Sequence, residues 1–145
     1  FGHSLIFGAL YGMTAGVPHS VQYGLAALFK TLNDGTYNYH DDVKVYERKA
    51  SAMKNYFISN GFEIVYDTDL YLPVADGLYF TVGYPGMTGK KLLLELLRYG
   101  ISSITLDITG SKREGLRACV SLIPWEMFPD LEKRLRKFNE DHTFN

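Results

Sequence analysis

Two arginines, one cysteine and a glycine-rich turn are the places where residue type and spacing could do chemistry. Arg117 lies in Gly115-Leu116-Arg117-Ala118-Cys119-Val120-Ser121, a stretch of strand character. A planar guanidinium can grip a carboxylate through two parallel hydrogen bonds and fix its orientation. The residues alone favour a plainer role, a strand arginine paired with a carboxylate of the protein itself. Arg113 stands in the polar loop Gly110 to Gly115 and is expected to be solvated. Cys119 has apolar neighbours and no histidine close in sequence, so a buried, inert thiol is expected. Gly86-Met87-Thr88-Gly89-Lys90-Lys91 resembles half of a phosphate loop. The place of the first glycine of that motif is Tyr84, and Lys91 stands where Ser or Thr should follow the lysine, so the segment reads as a turn entering a helix. His3, His19, His40 and His142 have no metal-ligand spacing, and no metal site is expected. Asp41-Asp42 and Lys90-Lys91 read as solvated helix ends.

The elements that must position these groups follow from periodicity. Leu5–Met13 is plausible helix in a Gly-rich apolar opening, residues 1–17. Val21, Leu25, Leu28 and Leu32 share one face of a helix over 20–32, stopped by Asn33-Asp34-Gly35. Tyr39, Val43, Tyr46, Ala50, Met53 and Phe57 alternate spacings of four and three and predict a long helix over 39–59, with Asp41 and Asp42 favouring its positive end. Strands are predicted at Phe62–Tyr66, Gly77–Val82, Ile101–Ile108 and Leu116–Leu122, and a helix at Lys90–Tyr99. Pro129 suits the first turn of a last helix whose Leu131, Leu135 and Phe138 form one face. This order predicts an α+β fold: a small, mostly antiparallel sheet with helices packed on one face. Alternation along the strand places Tyr79 and Thr81 on one face.

Composition excludes several classes of function. With 145 residues, 46% hydrophobic and 21% charged, the chain suits one globular domain. A net charge of -1 gives no electrostatic case for nucleic acid or an anionic membrane. No apolar run reaches the roughly 20 residues of a membrane span. One cysteine excludes an internal disulfide framework and fits a reducing, cytoplasmic setting. Aromatic residues, at 14%, suit a surface that packs on another domain or subunit.

The order Gly77-Leu78-Tyr79-Phe80-Thr81, then Leu93-Leu94-Glu95-Leu96-Leu97, then Tyr99-Gly100-Ile101, then Gly115-Leu116-Arg117 through Ser121 resembles the C-terminal small domain of class I/II, fold-type-I aminotransferases, which use pyridoxal phosphate. Pro18 to Ala27 resembles a stretch that follows the family's cofactor segment, so the resemblance covers nearly the whole chain. It implies a single domain over 1–145, with 1–17 the remnant of a connection to an absent cofactor-binding large domain. It implies that Arg117 binds the α-carboxylate of an amino acid or 2-oxo acid, with Tyr79 and Thr81 lining the substrate pocket. It implies that Ser20 falls in a loop approaching the cofactor across a homodimer interface, helix capping being its plainer role. The Schiff-base lysine segment of the family and its following Gly-x-Arg-x-Gly are not in this chain, so no catalytic residue is assigned here. The isolated chain is expected neither to bind the cofactor firmly nor to transaminate. Related lyases and decarboxylases share the domain. The alternative from a different class is a free-standing amino-acid-binding α+β module without a covalent cofactor.

Overall fold

The computed structural model describes residues 1–74 and 77–143. It divides into two compact units, Phe1–Asp42 and Val43–Asn145. In the first, a π-helix Ser4–Tyr11 runs into an α-helical turn, α1 (Gly12–Thr14), which ends where Ala15 and Gly16 take φ of 52° and 105°. Helix α2 (His19–Asn33) follows, with Pro18 preceding its first turn and Gly35, φ 71°, just beyond its end. The expected apolar face forms, but Val21, Leu25 and Leu28 stay exposed. No residue of 1–42 is buried.

The second unit carries the core. Helix α3 (Tyr39–Ser59) starts just before the division, and its C-terminal half buries Ala50, Met53 and Phe57, the last three residues of the predicted face. Gly61, φ 83°, turns the chain into β1 (Glu63–Ile64). A two-stranded ribbon follows, β2 (Thr68–Asp69) with β3 (Leu72–Pro73), then β4 (Tyr79–Gly83). Tyr84-Pro85-Gly86 makes the expected turn, with Met87 N–H donating to the Tyr84 carbonyl at 3.1 Å and Gly86 at φ 74°. Helix α4 (Gly89–Arg98) is capped by Thr88, whose hydroxyl accepts from Lys91 N–H. Strands β5 (Ile104–Thr105) and β6 (Leu116–Cys119) complete a four-stranded sheet of order β1-β4-β6-β5, and α5 (Phe128–Thr143) closes the unit. Each neighbouring pair in the sheet is antiparallel. The fold is therefore α+β, as the periodicity predicts.

All four predicted strands are shorter than expected, two of them markedly. The predicted strand 101–108 survives only at β5, because Leu106–Thr109 coils into a 3-10 turn that Gly110 ends at φ 83°. Thr109 and Ser111 both bond back to the Leu106 carbonyl, which takes that carbonyl out of any ladder. Ile108, an inward residue on a strand reading, is exposed as a result. The predicted strand 62–66 reduces to the two residues of β1, although Val65 and Tyr66 N–H still bond to the Thr81 carbonyl and hydroxyl.

The sheet has one buried face. Phe80 and Val82 of β4, and Leu116 and Ala118 of β6, join Met53 and Phe57 of α3, Leu92 and Leu96 of α4 and Leu135 and Phe138 of α5 in one core. Phe138 is its aromatic hub: fully buried, it meets Phe62, Tyr84 and Tyr99 at ring separations of 5.1–5.4 Å, and His142 stacks on it at 4.2 Å. At the start of β6, backbones meet with no side chain between them. A Cβ on Gly89 would lie 2.7 Å from the Gly115 carbonyl oxygen, and one on Gly115 would lie 2.7 Å from the Val82 carbonyl oxygen. Gly115 also has φ of 146°, a conformation that favours glycine. These glycines let α4, β6 and β4 approach to main-chain contact immediately before Arg117. No helix among the described residues is long and apolar enough to cross a membrane.

Candidate functional site: the Arg117 cleft

Alternation in β4 and β6 sends Phe80, Val82, Leu116 and Ala118 into the core and leaves Tyr79, Thr81, Arg117 and Cys119 on the opposite face. Register brings them together: Thr81 lies opposite Arg117, and Tyr79 opposite Cys119. The diagonal neighbours Arg117 and Tyr79 then meet, with the guanidinium carbon 4.2 Å from the Tyr79 ring centroid. A cation above an aromatic face is held by the ring quadrupole while its N–H edge stays free to donate. Thr81 is partly committed, since its hydroxyl accepts from Tyr66 N–H at 3.0 Å.

Arg117 is half-buried, and no described carboxylate pairs with it. The expected pairing with a carboxylate of the protein is thus not made among the described residues. Instead Arg117 lines a half-open cleft of about 350 Å³ at the β5 edge of the sheet. That edge is open because β5 pairs only with Arg117 and Leu116. Ser103 donates its hydroxyl to the Arg117 carbonyl at 2.6 Å, fixing the strand where the ladder ends. The fully buried Met53, Leu96 and Leu116 form the cleft's floor, and Tyr79, Arg117 and Leu122 stand at its more exposed rim. Arg117 is the one charged side chain among the described lining residues.

Cys119 departs from expectation. It is partly exposed, because it shares the Arg117 face while Ala118 and Val120 take the buried positions. Burial pushes its thiol up, but the Ser121 hydroxyl at 3.2 Å, the Ser121 and Leu122 N–H groups and the Arg117 charge together bring it below its ordinary value. Arg113 is exposed, as expected, but its guanidinium also donates to the Val65 carbonyl at 2.6 Å and lies 4.8 Å from the Tyr66 ring centroid, so it braces the loop before β6. Ser20 is not in a loop but in the first turn of α2, because Pro18 takes the N-cap position, and no side-chain bond caps that helix.

The half phosphate loop has its own occupant. Gly89 N–H, at the positive end of α4, donates to the Glu114 carboxylate at 2.6 Å. A negative charge of the protein thus answers the helix end that a phosphate would need.

Sequence reasoning misses Ser103, Leu122 and Ile123 as parts of the cleft. The cleft arises where three segments distant in sequence meet at a broken ladder, and no local pattern marks that meeting. The aromatic partner of Arg117 is accessible in principle, because alternation sets Tyr79 on an open face. No protein-family model matches the chain, and no curated protein matches it.

Proposed function

We propose that this chain supplies the carboxylate clamp of a pyridoxal-phosphate-dependent transaminase that interconverts an amino acid and a 2-oxo acid. A related lyase or decarboxylase would use the same clamp. The supporting observation is Arg117: a guanidinium that pairs with no carboxylate among the described residues, stacked on Tyr79 and lining a cleft of about 350 Å³. Ligand clefts of this kind are mostly apolar with few polar groups that fix orientation. Arg117 is the group that would fix it, through two parallel hydrogen bonds to one carboxylate. Tyr79 supports the guanidinium, and Thr81 beside it offers a hydroxyl proton.

The cleft does not fit the cofactor itself. Its described lining contains no lysine to form an imine with an aldehyde and no second cation for a phosphate. No step is therefore routed through pyridoxal phosphate here. In this reading the cofactor and its lysine belong to a separate large domain, and the full enzyme is a cytoplasmic homodimer. A second reading, a free-standing amino-acid-binding module, draws support from the cleft's lining, which comes from residues 53–131 of one unit.

The test is carboxylate binding by the 145-residue chain and by Arg117→Gln, followed by NMR. Loss of a charge-assisted hydrogen bond pair corresponds to about 1.5–3 kcal/mol, so the variant should bind at least roughly tenfold more weakly. Equal binding by both proteins would remove Arg117 from the site.

A further inference from the structure

The lining of the Arg117 cleft also carries information about what accompanies the carboxylate. Resting on the clamp reading, we infer that the site takes a monocarboxylate with an apolar tail of about four carbons, and discriminates against tails that carry a second charge. The polar groups of the described lining are few: the Tyr79 ring edge, Ser102, Ser103, Cys119 and Arg117. Ser103 is already committed to the Arg117 carbonyl, and Cys119 to Ser121. The lining that keeps exposed or partly exposed surface around Arg117 is otherwise hydrocarbon: Ile104, its cross-strand partner, with Ile101, Leu122, Ile123 and Leu131. A carboxylate on Arg117 therefore directs the rest of its molecule along apolar surface.

Charge decides the selectivity. A second carboxylate entering the cleft would lose water and find no cation there, since the described lining holds only Arg117. Burying an unpaired charge is far more costly than burying a methyl group. Size decides the rest. Each buried methylene favours binding by roughly fourfold, so a tail of three further carbons outweighs pyruvate by about tenfold or more, even in a half-open cleft.

The experiment compares 4-methyl-2-oxopentanoate, 2-oxoglutarate and pyruvate on the full chain, read by chemical-shift titration. Two variants accompany it, Arg117→Gln and Leu122→Asp. Leu122 is 87% exposed, so its replacement leaves the core intact. The expected result is that 4-methyl-2-oxopentanoate binds at least about tenfold more tightly than the other two. Arg117→Gln should weaken all binding at least about tenfold, and Leu122→Asp, which sets an anion at the rim, should weaken every acid but the branched acid most, so that its preference shrinks. If 2-oxoglutarate binds as tightly as the branched acid, and Arg117→Gln still weakens binding, the apolar-tail inference is overturned while the clamp stands. If Leu122→Asp leaves the preference intact, the tail does not lie in this cleft, and the inference fails by a second route. If none of the three binds, or binding ignores Arg117, the clamp fails and takes the inference with it.

Discussion

Gly115→Ala tests the main-chain contact that sets the position of Arg117. The substitution asks two things of the fold. First, alanine must adopt φ of 146°, which a side chain disfavours; sparsely populated backbone conformations of this kind cost about 1–3 kcal/mol. Second, the new Cβ would lie 2.7 Å from the Val82 carbonyl oxygen, 2.9 Å from Val65 and 3.1 Å from Leu106. The nearest of these is backbone of the paired strand β4, so the strands must part by a few tenths of an ångström, and overpacking adds about 1–3 kcal/mol. The expected total is about 2–6 kcal/mol. Two controls separate the terms. Gly86 has φ of 74° and open space within 4 Å of where a Cβ would stand, so Gly86→Ala carries the conformational cost alone, about 1–2 kcal/mol. Gly89→Ala meets the Gly115 carbonyl oxygen at 2.7 Å without a positive φ, and so carries crowding alone. Its helix position returns up to about 1 kcal/mol, for a net cost of about 0–3 kcal/mol. Urea unfolding followed by circular dichroism gives the three differences, with the slope checking that each transition exposes the same surface. A Gly115→Ala cost no larger than that of Gly86→Ala would refute the crowding argument. The shift should also reach the site: chemical shifts of Arg117 and Tyr79 should move in Gly115→Ala and stay put in Gly86→Ala.

Three further outcomes follow from the same geometry. Phe138→Ala, which empties the aromatic hub, should destabilise the Val43–Asn145 unit by about 3–5 kcal/mol in the same unfolding assay. Alkylation of Cys119 by iodoacetamide should reach half its maximal rate below the pH of an ordinary thiol. Arg117→Gln should raise that midpoint, because the arginine charge favours the thiolate; an unchanged midpoint would show that the charge does not act on the thiol. Pyridoxal phosphate mixed with the chain should give no stoichiometric imine absorbance, and a borohydride-trapped adduct on one lysine would overturn the proposal that the cofactor's lysine lies outside this chain.

What is legible in the sequence is what repeats locally. The 3-4 spacing ending in Ala50, Met53 and Phe57 gives the buried half of α3, and Leu131, Leu135 and Phe138 give the inner face of α5. Alternation is enough to separate Tyr79 and Thr81 from Phe80 and Val82. What escapes depends on features that residue type hides. The β2–β3 ribbon turns through Leu70 at φ of 54°, a conformation that leucine rarely adopts. Ile104, Leu106 and Ile108 alternate like a strand, yet the Leu106 carbonyl is captured by Thr109 and Ser111 before the ladder can extend. The cleft lies at the other end of β5, where Ile101, Ser102 and Ser103 run into the strand outside its ladder, so these bonds hide the true strand and not the site. Cys119 is misread from sequence because its neighbours along the chain are apolar, whereas its neighbours in space are Arg117 and Ser121.

The Glu114 carboxylate on the first N–H of α4 has a consequence for which molecules this surface turns away. A helix start can serve as a harbour for phosphoesters, because its free N–H groups and partial positive charge welcome them. Here that harbour is closed from within. A phosphorylated metabolite approaching the Gly86–Lys91 turn would find the first N–H of the helix already held by an anion of the protein.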